Sequence, residues 1–119
     1  MKLANILLHF PNNPSLDSMT KRMKRHFLKK VDLTSVEFQV KISDFGLSTI
    51  LDDCVSELSI VGTPLYQSPQ LLKRKCYNDS VDTWALGVIL FEILVGVTPF
   101  HCSEMSDLVR KINDGRYKL

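Results

Sequence analysis

Residues 84–97 read Trp-Ala-Leu-Gly-Val-Ile-Leu-Phe-Glu-Ile-Leu-Val-Gly-Val, an apolar run broken only by Glu92. At about 14 residues it is shorter than the ~20 that a bilayer-spanning helix requires. It reads instead as a helix of a protein core, apolar around most of its circumference, that has to be covered on all sides. Asp79-Ser80 mark its start, and Gly96 followed by Pro99 marks its stop. Trp84, Leu86, Ile89, Leu90 and Leu94 are its expected core residues.

The rest of the chain suits such a core. The 119 residues are 45% hydrophobic and 24% charged, with five Gly and five Pro, which fits one globular domain and excludes collagen-like, low-complexity and disordered chains. Ile6-Leu7-Leu8 is too short for a signal peptide and Pro11 follows it. The three cysteines, Cys54, Cys76 and Cys102, are widely spaced and form no C-x-x-C, so they read as free thiols rather than a zinc site or a disulfide framework. Net charge is small at +2 but unevenly placed: residues 1–40 carry seven Lys/Arg against three Asp/Glu, most of the excess lying in residues 21–30.

Ile6-Leu7-Leu8 is expected as a short buried strand, and Phe38-Gln39-Val40-Lys41-Ile42 alternates as a strand does. Pairing these two makes a hairpin whose connection, residues 9–37, is far longer than a turn, hence a basic insertion. Its Pro11, Asn12, Asn13 and Pro14 predict mobility, with fast hydrogen exchange over residues 11–34, although Met19, Met23 and Phe27 lie four apart and share one helical face. Residues 43–69 have little periodicity and read as a long loop. Ser103 is placed to cap a last helix carrying Met105, Leu108, Val109 and Ile112 on one face and ending at Gly115.

Asp44-Phe45-Gly46 directly follows the second strand, then come Gly62-Thr63-Pro64, Ser68-Pro69-Gln70 and Asp82-x-Trp84-x-x-Gly87; Lys2-Leu3-Ala4-Asn5 stands upstream. In this order and spacing the motifs resemble the C-terminal lobe of a eukaryotic protein kinase of the Ser/Thr type, over roughly residues 1–8 and 39–119. The resemblance implies an α+β fold, mainly helical, with a small β-hairpin and an activation segment. The whole chain, residues 1–119, is then a partial kinase domain interrupted by the basic insertion. The Lys2–Leu8 run is similar to those of autophagy-initiating and of calcium/calmodulin-dependent kinases and does not choose between them.

The site roles below are what the resemblance implies. Asp44, with Phe45 and Gly46, serves nucleotide and Mg²⁺ binding, since a hard cation takes carboxylate oxygen. Asn5 holds a second Mg²⁺. Lys2 neutralises charge on the transferring phosphoryl group. Thr63 steadies the catalytic groups and, with Lys2, points to Ser/Thr rather than Tyr specificity. Ser59, three before Gly62, takes a regulatory phosphate. Asp82 accepts backbone N–H groups of the catalytic loop. Ser68-Pro69-Gln70 departs from the family's Ala-Pro-Glu, and Gln70 cannot form that Glu's ion pair.

The implied activity is ATP-dependent phosphoryl transfer to Ser/Thr of proteins, with ATP and Mg²⁺ as cofactors and a protein substrate as partner. Counting back from Asn5, the family's catalytic Asp falls one position before Met1, and no G-x-G-x-x-G or V-A-x-K occurs, so this chain by itself is expected to be inactive. Two other classes stay open: a non-catalytic kinase-like scaffold or decoy, and a small basic binding module working through residues 19–31. The run Lys21-Arg22-x-Lys24-Arg25 suits calmodulin, a nuclear importer or an acidic surface. Neither a membrane span nor a nucleic-acid partner is expected, and the location is cytoplasmic, or nuclear if the basic run acts as an import signal.

Overall fold

The computed structural model describes residues 1–46, 48 and 63–117 of the chain. It is mainly helical with one small antiparallel sheet, the α+β class that the motifs imply. Two compact units arise, one of residues 4–43 and one of residues 1–3 with 44–119.

In the first unit, β1 (Ile6–His9) pairs with β2 (Gln39–Ile42) from Ile6↔Ile42 to His9↔Gln39. The Ser43 N–H donates to the Asn5 carbonyl at 2.8 Å, and the Ser43 hydroxyl donates to the same oxygen at 3.1 Å, closing that end of the hairpin. The strands are not buried as the sequence suggests: Leu7, Leu8, Val40 and Ile42 are each two-fifths or more exposed.

The insertion carries helices, with Met23 and Phe27 on one helix as their spacing suggests. A single turn, α1 (Ser15–Ser18), precedes α2 (Lys21–Lys30). Thr20 caps α2, its hydroxyl oxygen accepting from the Met23 N–H. The Phe27 ring meets buried Phe10 edge-on, centroids 5.8 Å apart, and Phe38 lies 6.1 Å from Phe10 on another side. Three aromatics far apart in sequence thus give the insertion an apolar centre. At its base the Asn12 amide donates to Glu37 at 2.9 Å, and the Asp32 carboxylate accepts from both the backbone N–H and the hydroxyl of Thr34.

The second unit holds α3 (Pro69–Leu72), α4 (Ser80–Val95) and α5 (Met105–Asp114). Ser68, almost fully buried, accepts from the Leu71 N–H and Pro69 takes the first helical position, an arrangement that starts α3 locally. Gly96 and Gly115 end α4 and α5 in left-handed conformations, φ 87° and 64°. Glu104 rather than Ser103 precedes α5, and it makes no side-chain cap. Leu72, Phe100, Leu108 and Ile112 form the core cluster, with Trp84 and Leu65 against it.

α4 buries Ala85, Val88 and Ile89. Leu86, Leu90 and Leu94, expected in the core, are 50%, 57% and 75% exposed. They lie away from the side of α4 that carries buried Ala85, Val88 and Ile89. Cys102 is a free thiol, but Cys76 is disulfide-bonded, against the expectation of free thiols. No helix among the described residues is long and apolar enough to cross a membrane.

Candidate functional site

Asn5 ends a short 3-10 turn, Leu3–Asn5, that leads directly into β1. Its carbonyl is held by Ser43, so the residue is fixed at the closed end of the hairpin. On the second strand the chain leaves β2 through Ser43 and enters Asp44, whose backbone is left-handed, φ 65°. Asp is among the few non-Gly residues that tolerate this region, because its short polar side chain bonds locally. The sharp change of direction ends β-pairing and leaves Asp44 exposed, as are Phe45 and Gly46. A methyl group added at Gly46 would sit 3.4 Å from an Asp44 carboxylate oxygen, in ordinary van der Waals contact.

Both candidate metal ligands carry hard oxygens, the donor type Mg²⁺ takes, and each stands beside a strand end. No group of three or more His, Cys, Asp or Glu able to hold a metal occurs among the described residues. Asn5 lies in the hairpin unit; Lys2, Asp44, Thr63 and Asp82 lie in the other.

In that second unit Thr63 opens a 3-10 turn, Pro64–Tyr66, its carbonyl accepting from the Tyr66 N–H at 3.2 Å. Lys2 and Thr63 are half-buried. The Met1 main-chain nitrogen lies 4.0 Å from an Asp82 carboxylate oxygen, at the outer limit of an ion pair. Ser59 and Gly62 lie outside the described residues.

Sequence reasoning missed one pair. The Tyr66 hydroxyl donates to Glu92 of α4 at 2.6 Å and accepts from the Leu3 backbone N–H. One phenol thereby ties α4 to the residue following Lys2. The available signal was Glu92 itself, a lone carboxylate in an apolar run, which requires a polar partner. Burial, then the bond to Glu92 and its charge, push the Tyr66 pKa up to about 12.

A raised acid pKa means that the folded state keeps its proton where the unfolded chain loses it. The stabilisation is therefore complete below about pH 10 and is lost as pH rises towards about 12. Tyr66→Phe removes this dependence. The stability difference between wild type and Y66F, measured by urea unfolding at intervals from pH 9 to pH 11, should shrink as pH rises. A constant difference would mean that Tyr66 titrates like a free phenol.

Comparison with known proteins identifies the family. The model of the protein kinase domain matches residues 1–118. The chain is 39% identical over 80 residues to the human serine/threonine-protein kinase Nek2, covering 66% of this chain and 18% of that protein. It is 45% identical over 74 residues to the serine/threonine-protein kinase TIO of Arabidopsis thaliana, covering 61% and 6%. It is 42% identical over 78 residues to calcium/calmodulin-dependent protein kinase type II of Caenorhabditis briggsae, covering 66% and 15%. The chain thus spans less than a fifth of the length of these curated relatives. It belongs to the protein kinase domain family, and the relatives it matches are serine/threonine-protein kinases.

Proposed function

We propose that this chain supplies the metal-binding and catalytic-loop end of a kinase that transfers phosphate from ATP to Ser/Thr hydroxyls of proteins. The observation that carries the reading is the exit of β2 into Asp44-Phe45-Gly46, with Asp44 left-handed and accessible, inside a segment matched by the kinase family. Asp44 and Asn5 would each offer a side-chain oxygen to Mg²⁺. Bound Mg²⁺ neutralises charge on the nucleotide phosphates. Lys2 places a further positive charge at the transferring group, and Thr63 positions Lys2. Ser59 is the regulatory phosphorylation site in this reading.

Phosphoryl transfer depends on positioning and charge neutralisation more than on covalent chemistry, so loss of one such group is costly. In the protein that carries this chain, Asp44→Asn should lower phosphate incorporation into a generic Ser/Thr substrate by about 10²–10³-fold with the fold intact. A separate readout follows the site directly. Mn²⁺ without nucleotide, standing in for Mg²⁺, should broaden the amide resonances of Asn5 and Gly46 selectively, with only millimolar affinity, because two oxygens alone hold such an ion weakly. Broadening that persists in Asp44→Ala, or that is spread over all surface carboxylates, would overturn the assignment.

A further inference from the structure

The insertion presents a groove that the kinase reading does not use. α2 and the preceding Met19 line an open space of about 680 Å³. Met19, Met23 and Phe27 lie along one side of the helix, and Arg22, Arg25, His26, Lys29 and Lys30 complete the lining. It belongs to the connection that leaves the His9/Gln39 end of the hairpin, about 13 Å along the strands from the Asn5/Ser43 end. We propose that this groove docks an acidic peptide segment of a partner protein, one that carries apolar side chains between its carboxylates.

Charge is the first ground. α2 contains six Lys/Arg and His26 and no acidic residue. The ion pairs of the described residues involve none of these cations. Lys21, Arg25 and Lys29 stand four apart, as do Arg22, His26 and Lys30, so like charges face each other along two rows and repel. An anionic segment laid along α2 relieves that repulsion, and the two Arg guanidinium groups grip carboxylates bidentately.

Apolar complementarity is the second ground. Met23 is 52% exposed although it lies on the apolar side of the helix. Thioether side chains adapt to varied apolar anchors, which suits a peptide-docking surface. The helix is also pre-positioned, through the Thr20 cap and the edge contact of Phe27 with Phe10, so little ordering remains to be done on binding.

The same features disfavour other polyanions. Phe27, the single aromatic of the lining, is half-buried and engaged with Phe10, whereas single-stranded nucleic-acid sites use several stacking platforms. A membrane surface takes up the apolar face of a helix, whereas Phe27 of this apolar row is turned inward against buried Phe10. The proposal stands independently of the phosphotransferase reading.

The test is fluorescence anisotropy with the full chain and a labelled Glu-rich peptide of about a dozen residues carrying two Leu anchors. Saturable binding is expected, at least about tenfold tighter than that of the same peptide with both Leu replaced by Ser, and weakening as salt rises. Arg22→Glu with Lys29→Glu should abolish binding, and the milder Arg22→Gln with Lys29→Gln should weaken it by about tenfold or more. Circular dichroism identifies any variant that has lost its helix, and the Gln pair then decides. Met23→Ser, at an exposed site, should weaken the Leu-bearing peptide severalfold and leave the Ser version unchanged. No binding, equal binding of both peptides, or tighter binding to a single-stranded RNA or to phosphatidylserine vesicles would overturn the proposal.

Discussion

Phe100→Ala should cost about 3–5 kcal/mol of folding stability, the range found when a large aromatic is truncated in a packed interior. Phe100 is 6% exposed and belongs to the cluster of Leu72, Leu108 and Ile112. Its ring lies nearly parallel to that of Trp84, 9° between planes with centroids 5.9 Å apart, an offset stack. Tyr117 meets the same ring edge-on at 6.2 Å. Truncation therefore removes buried area, two aromatic contacts and the wedge between α3 and α5 together. Domains of this size are stable by only about 5–15 kcal/mol, so the variant should be largely unfolded in mild urea where wild type is not. Phe100→Leu keeps most of the volume and should lose less than half as much. Trp84 fluorescence reports the transition directly. A loss below about 1 kcal/mol for the Ala variant would show that this cluster is not the core.

The sequence is legible where one local rule acts without competition. Gly96 and Gly115 were readable as helix stops because a left-handed backbone after an apolar helix selects glycine, and both hold that conformation. Strand β2 was readable because alternation of apolar and polar residues has few other causes. The family was readable because its motifs occur in order. What was missed depends on contacts made only after folding. Phe10, Phe27 and Phe38 are 17 and 11 positions apart, and nothing local says that they will meet and hold α2. Tyr66 and Glu92 are 26 positions apart, and only the oddity of a carboxylate in an apolar run hinted at a partner. The left-handed backbone at Asp44 was invisible because most Asp residues avoid it, although Asp tolerates it better than most.

α4 shows the same limit and carries the second large effect: the 119-residue chain should self-associate through this helix. Periodicity cannot tell a covered face from an open one when every face is apolar. Ala85, Val88 and Ile89 point into the unit, whereas Leu86, Leu90, Ile93 and Leu94 are 50%, 57%, 61% and 75% exposed. These four residues at i, i+4, i+7 and i+8 form one stripe. A patch of this kind is at or beyond what monomeric proteins tolerate. Burying each side chain fully is worth about 1.5–3 kcal/mol. Joining two copies face to face engages both stripes, and even partial burial of eight side chains offsets an association cost of about 4–15 kcal/mol. Size-exclusion chromatography should show a species larger than one chain, and a hydrophobic dye should bind at low concentration. Leu90→Glu with Leu94→Lys puts an i,i+4 ion pair on the exposed stripe, which supports the helix while removing its stickiness. That variant should elute as a monomer, lose dye binding and melt within a few degrees of wild type. A wild-type chain that is monomeric, dye-silent and cooperatively folded would show that the stripe is covered in solution, and the packing of α4 described above would have to be revised.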